Sequence, residues 1–346
     1  MTSVHHRTSS TAMPVPSPRG PASAALLSVL RGDAAPRIFV AAARMATAPG
    51  RGLGVLVDDD IQLCLTLLYE LHLQGIDGVD DRWGWDAELL TARAALEAPF
   101  DSEIRALAAP VVDRVAGPDV VAALWDMTAP STSPGLSGFM ATEATVEQFR
   151  ELLIHRSLNQ LREGDVHTLG IPRLAGRPKA ALVEVQADEY GGGRLERMHS
   201  QLFAITMREL GLSDAYAHYV DAVPAVTLAS LNALSYFGSH RSMLGALAGH
   251  LCAVETTSAL PSKKYAAGLR RLGFGDAAAL FFDEHIEADS VHEQIVVRDL
   301  AGGLAAARPE LVDDILLGAA ACLAFDDLIG DHIAECWARG SSSLRS

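Results

Sequence analysis

Along most of the chain apolar residues recur every three or four positions, the spacing of helices that bury one face. Residues 24–127 show this in blocks. The run "VDDDIQLCLTLLYELHLQG" opens on Asp58, Asp59 and Asp60, residues suited to a helix N-terminus. It then turns apolar and breaks in the Gly and Asp cluster around Gly75 and Gly78. Thr128–Thr142, "TAPSTSPGLSGFMAT", is rich in Ser, Pro and Gly and reads as a linker. Helical patterning resumes at residue 143 and runs to about 340. Thr145 and Gln148 have capping-box spacing ahead of "FRELLIHRSLNQLRE", and Pro309 stands where a helix start tolerates it. Period-two alternation is scarce; "ALVEVQA" is the one tempting strand, and its Ala-rich flanks assign it to helix. The pattern predicts an all-α protein. It divides into a polar tail over 1–23, a helical region over 24–127, a linker over 128–142 and a helical-bundle core over 143–340.

Composition narrows the function class. A chain of 346 residues that is 49% hydrophobic has enough apolar surface for a large core. A formal net charge of −15 argues against nucleic acid, whose phosphates need concentrated Lys and Arg. No apolar run approaches the roughly 20 residues of a membrane helix. The polar start has no apolar segment of the kind secretory signals carry. Cys64, Cys252, Cys322 and Cys336 are scattered, without a C-x-x-C pair, against both a disulfide framework and a thiolate zinc site. The expectation is a cytoplasmic protein with no membrane or nucleic-acid partner.

Chemistry enters where charged residues interrupt apolar stripes. In "FFDEHIEADSVHEQIVV", 100° per residue puts Phe281, His285, Asp289, His292 and Val296 on one face. Asp283, Glu284, Glu287, Ser290 and Gln294 take the opposite side. Burying His285, Asp289 and His292 without partners would be costly. Two imidazoles and a carboxylate one turn apart suit a metal ion, or else a buried His–Asp hydrogen-bond network. In "GALAGHLCAVETTS", Glu255 lines up with Leu244, Ala248, Leu251 and Cys252, so its carboxyl is either raised in pKa by burial or paired with a cation, a metal or equally an arginine. His250 falls well round that helix and reads as structural.

The stretch "DEYGGGRLERMH" offers two carboxylates to one imidazole. His199 aligns with Leu195, Leu202, Phe203 and Thr206 on an inward stripe. Glu196 precedes it by three residues, a spacing that carboxylate-bridged iron bundles use. Glu189 precedes it by ten, which on an unbroken helix places it about 80° away. Gly191, Gly192 and Gly193 could deform the helix and remove that offset. Glu163, in "HRSLNQLREGDVHTLG", follows Arg156 and Asn159 on one face, and by itself reads as a solvated residue near a helix end. Arg156, Arg173 and Lys179 are cations placed to hold a substrate carboxylate. Zincin, nucleophile-elbow and Walker motifs are absent.

These stretches together, "REGD", "DEYGGGRLERMH", "AVETTS" and "DEHIEADSVH", resemble the haem-oxygenase-like di-iron oxidases and oxygenases. The last matches the family's H-x-x-x-D-x-x-H, and the order of motifs looks most like the N-oxygenase members of the streptozotocin-pathway type. The resemblance covers roughly residues 145–337. It implies a compact haem-oxygenase-like bundle holding two iron ions, with dioxygen as co-substrate. The ligands it implies are Glu163, Glu189, His199, Glu255, His285, Asp289 and His292, with D-E-Y-G favouring Glu189 over Glu196. The expected activity is N-oxygenation of a small metabolite, or oxidative cleavage or desaturation of an amino or fatty acid, served by an electron donor. The helices before the core look like the dimerising helices of such proteins, so a homodimer is expected. The alternative is a non-catalytic, ferroxidase-like metal-binding bundle.

Overall fold

The computed structural model describes residues 11–48, 54–115, 119–131 and 133–345, without the side chains of 287–291. The first half contains α1 (Pro21–Leu30), α2 (Pro36–Ala46), α3 (Asp59–Glu70), α4 (Ala87–Val112) and α5 (Val120–Met127). Next come α6 (Gly135–Thr142), α7 (Val146–Gln160), α8 (Asp165–Thr168), α9 (Gly176–Glu189) and α10 (His199–Glu209). They are followed by α11 (Ala225–Ser239), α12 (Leu244–Thr257), α13 (Ala259–Arg271) and α14 (Asp276–Gln294), which continues as a π-helix over Ile295–Gly302. α15 (Gly303–Ala307) and α16 (Val312–Ala338) close the chain. No strand forms among the described residues; Met13 and Ile76 make one isolated bridge. The all-α reading holds, and "ALVEVQA" lies within α9.

Local signals start these helices where the pattern placed them. Asp58 accepts hydrogen bonds from the Asp60 and Ile61 amides at the start of α3. Thr145 and Gln148 form the capping box of α7, with Thr145 N donating to Gln148 Oε1 at 2.9 Å. Two segments are more ordered than their composition suggests. Gly135–Thr142, within the expected linker, is helical and packs on α13 through Met140. Residues 1–10 of the expected tail lie outside the described residues, but Met13 is buried and the Arg19 guanidinium donates to Asp59 and to the Val220 and Val223 carbonyls. Those partners lie 40 to 204 residues away in sequence, where local composition carries no sign of them.

α1, α3 and α4 share one apolar cluster with α11 and α16, so the N-terminal region is built into the bundle. A second cluster joins α9, α12, the π-helical stretch and α16, and a third joins α7, α10, α13 and α14. α12 and α16 meet through glycines: a Cβ on Gly249 would sit 1.8 Å from the Ile315 carbonyl oxygen, and one on Gly318 1.9 Å from that of Ala246. Backbone contact this close leaves room for no side chain. Among the described residues no helix is long and apolar enough to cross a membrane.

Candidate metal centre

α7, α9, α10, α12 and α14 surround a polar space inside the bundle. α7 ends at Gln160, and Glu163 sits in the turn that follows, just before Gly164, whose φ of 88° lets the chain reverse into α8. Glu189 is the last residue of α9 and His199 the first of α10. The three glycines between them, with φ of 62°, 61° and 79°, all adopt left-handed backbone, so the helix ends instead of merely bending. A Cβ on Gly191 would lie 2.6 Å from the Arg197 carbonyl carbon and the Met198 nitrogen. This close approach folds the connection back and delivers His199 to Glu189, with Nδ1 3.0 Å from Oε2. Because α10 starts only at His199, Leu195 is not on its inward stripe and is 67% exposed. Glu196 occupies an exposed turn of 3-10 helix beside it.

The potential ligand atoms gather into two groups. Those of Glu163, His199 and His285 lie within 4.8 Å of one another, and so do those of Glu189, Glu255 and His292. The His199 and His285 rings are 4.5 Å apart, and the Glu189–His199 contact links the groups. Asp289 is carried by α14 between the two histidines, but its side chain lies outside the described residues. His250 belongs to neither group: its Nδ1 lies 3.2 Å from His167 Nε2, and burial holds both rings below the usual histidine range.

Hydrogen bonds orient both α14 imidazoles. His285 Nδ1–H donates to the Phe281 carbonyl one turn earlier at 2.7 Å, which puts the ring's lone pair on Nε2, 3.7 Å from Glu163 Oε1. His292 Nδ1 is 3.1 Å from Glu255 Oε2, and its Nε2 is 2.9 Å from Asp188 Oδ2. Asp188 was not singled out in the sequence. Its signal is its place beside Glu189, at the end of a helix that supplies one carboxylate to the group and another behind it.

The electrostatics are those of anions and imidazoles sharing protons in place of a cation. Burial disfavours the charged form of Glu189, but His199, His285 and His292 hold its carboxyl below the usual range. Burial pushes Glu255 up, opposed by the His292 hydrogen bond. Burial works against His292 as a cation too, yet Glu255 and Asp188 outweigh it and raise its pKa to about 9. Glu163 Oε2, Glu189 Oε2 and His199 Nδ1 are buried without a hydrogen-bond partner among the described residues, since the short Glu189–His199 contact is poorly aligned. Buried polar atoms left this way call for a missing partner, and all three belong to the two groups. Carboxylate oxygens and imidazole nitrogens with no thiolate among them suit a metal such as iron.

The model of the iron-containing redox enzymes matches residues 150–327, just over half of the chain. The chain belongs to that family. An iron-containing redox enzyme has use for this donor set, and the matched span includes every residue of both groups. Comparison with curated proteins gives no match. Family membership makes the chain an oxidoreductase with an iron-dependent redox function.

Proposed function

We propose that this iron-containing redox enzyme is a non-haem di-iron oxygenase acting on a small metabolite, by N-oxygenation or by oxidative cleavage or desaturation. The observation that carries the reading is the pair of adjoining groups, each of carboxylates and imidazoles, with unpartnered atoms in both. Glu163, His199 and His285 would hold one iron, and Glu189, Glu255 and His292 the other. Glu189, in contact with His199, stands where a carboxylate can serve both. Asp289 would complete the set. When bound, the iron pair supplies the electrons and the Lewis acidity that dioxygen chemistry requires.

The chain's own residues prepare that site. The Phe281 carbonyl keeps a proton on His285 Nδ1, so Nε2 faces the metal space. Asp188 does the same for His292 Nε2, turning Nδ1 inward. Burial of Glu189, Glu255, His199 and His292 excludes bulk water and strengthens each charge interaction.

Anaerobic Fe(II) titration of the full-length protein tests the reading, with saturation expected near two irons per chain. Glu189→Ala should lose iron while Glu196→Ala retains it. Saturation at one iron or none, or loss only in Glu196→Ala, refutes it.

A further inference from the structure

Of the six residues in the two groups, Glu163 alone lies outside a helix. Its carboxylate does not fix itself. Oε1 is 3.7 Å from His285 Nε2, and Oε2 has no hydrogen-bond partner among the described residues. Packing does not confine its turn on every side either, because Leu161, Arg162 and Asp165 line an open cavity of about 330 Å³. The left-handed glycine that follows, Gly164, gives the backbone further freedom. A side chain on such a turn needs ties from elsewhere to stay within reach of two imidazoles.

Those ties come from the end of α9. Gln186 Nε2 donates to the Gly164 carbonyl at 2.6 Å, and its second hydrogen goes to Thr168 Oγ1. The Thr168 hydroxyl donates to the same Gly164 carbonyl at 3.1 Å. Tyr190 OH donates to Asp165 Oδ1 at 2.8 Å and lies 3.1 Å from Thr168 Oγ1. The turn also rests directly on α9: a Cβ on Gly164 would lie 3.3 Å from Glu189 Cβ and 3.7 Å from Tyr190 Cζ. Gln186, Glu189 and Tyr190 follow the i, i+3, i+4 spacing that brings side chains together on one helix face. On the turn's other shoulder Arg162 is held by Glu70 of α3 at 3.2 Å, an anchor that does not involve α9.

We infer that Gln186 and Tyr190 are positioning residues, which hold Glu163 with His199 and His285 and fix it relative to Glu189. One turn of α9 then serves both groups. It supplies Glu189, sends Asp188 to His292, and sends Gln186 and Tyr190 to the Glu163 turn. The inference rests on the proposed di-iron reading and assigns roles to residues that touch neither iron.

The test is anaerobic Fe(II) titration of the full-length wild type, Tyr190→Phe and Gln186→Leu, followed by calorimetry and by iron bound per chain. In each variant one iron should weaken about tenfold or more, the usual cost of losing a partner behind a metal ligand, while the other is unchanged. Glu163→Ala identifies the weakened site. Adding Tyr190→Phe to it should not weaken the remaining iron further, because the two changes act through one ligand. A merely structural role would weaken both irons. The inference is overturned if both irons bind as in wild type, if both weaken alike, or if Tyr190→Phe adds to the effect of Glu163→Ala. Should Gln186→Leu fail to fold, Tyr190→Phe carries the test, since it removes a single oxygen. If the wild type binds one iron, the di-iron reading falls and this inference is judged on that iron. It then stands if Tyr190→Phe and Glu163→Ala weaken it without adding, and falls otherwise. No iron uptake at all overturns both.

Discussion

The glycine break between α9 and α10 allows a substitution whose effect divides into two parts. Gly191 and Gly192 have nearly the same backbone, φ 62° and 61°, but opposite surroundings. A methyl group on Gly192 would meet nothing within 4 Å, whereas one on Gly191 would sit 2.6 Å from backbone atoms of Arg197 and Met198. Gly192→Ala should therefore cost only the left-handed conformation, about 1–2 kcal/mol. Gly191→Ala adds an overpacking cost of about 1–3 kcal/mol, because backbone atoms cannot rotate out of the way. Its total is about 2–5 kcal/mol. Relief of the clash pushes Met198 outward and carries His199 away from Glu189. Guanidinium unfolding of the metal-free variants measures the first effect, and anaerobic Fe(II) titration the second. Gly191→Ala should be the less stable of the two and should bind iron more weakly, with Gly192→Ala close to wild type in iron binding. Equal stability and equal iron affinity in the two variants would refute the close-approach argument.

Further outcomes follow from the hydrogen bonds and charges. Asp188→Asn should lower metal affinity about tenfold or more with little change in metal-free stability; unchanged Fe(II) or Co(II) titration curves would show that Asp188 does not position His292. The His292 pKa of about 9, raised above its ordinary value of 6.5, stabilises the metal-free fold fully below pH 6.5 and progressively less as pH rises to 9. Stability should fall across that window by at most about 1.4 kcal/mol per pH unit, while metal affinity rises as the competing proton leaves. A flat stability profile, or the same slope in His292→Gln, contradicts this. Glu70 and Arg162 form a buried ion pair at 3.2 Å, with each side chain 2% exposed. Glu70→Gln should destabilise the protein by about 3–5 kcal/mol, read from the unfolding midpoint, and a loss below 1 kcal/mol would mean that Arg162 is compensated elsewhere.

Much of the centre is legible in the sequence because its residues break apolar stripes. His285, His292 and Glu255 stand among inward residues of regular helices, so their phase alone predicts burial. Glu163 is different: it lies in a turn past the end of α7, and only its neighbours in space give it a role. The choice between Glu189 and Glu196 was open because phase is preserved only along an unbroken helix. Left-handed backbone at three successive glycines resets it. Asp188 was illegible for a further reason. It acts on His292, more than a hundred positions away, and nothing local marks the partnership. The order of residues 13–23 escaped for the same reason, since Met13 and Arg19 are held by remote backbone and a remote carboxylate.

The π-helical stretch Ile295–Gly302 begins three residues after His292. A π turn holds one more residue than an α turn, and here it lets the consecutive residues Val296 and Val297 both point into the core. The stretch therefore works as a register shifter between two faces of one continuous rod. Upstream, the phase is set by the histidines; downstream, it is set by packing against α9 and α12. An unbroken α-helix would have to serve both with one phase, and aligning its valines would swing His292 by up to about 100° from Glu255. Deleting one residue in the stretch forces that choice on the protein. The histidine-bearing end and the packing end of this helix are thus free to drift apart in sequence without either dragging the other out of place.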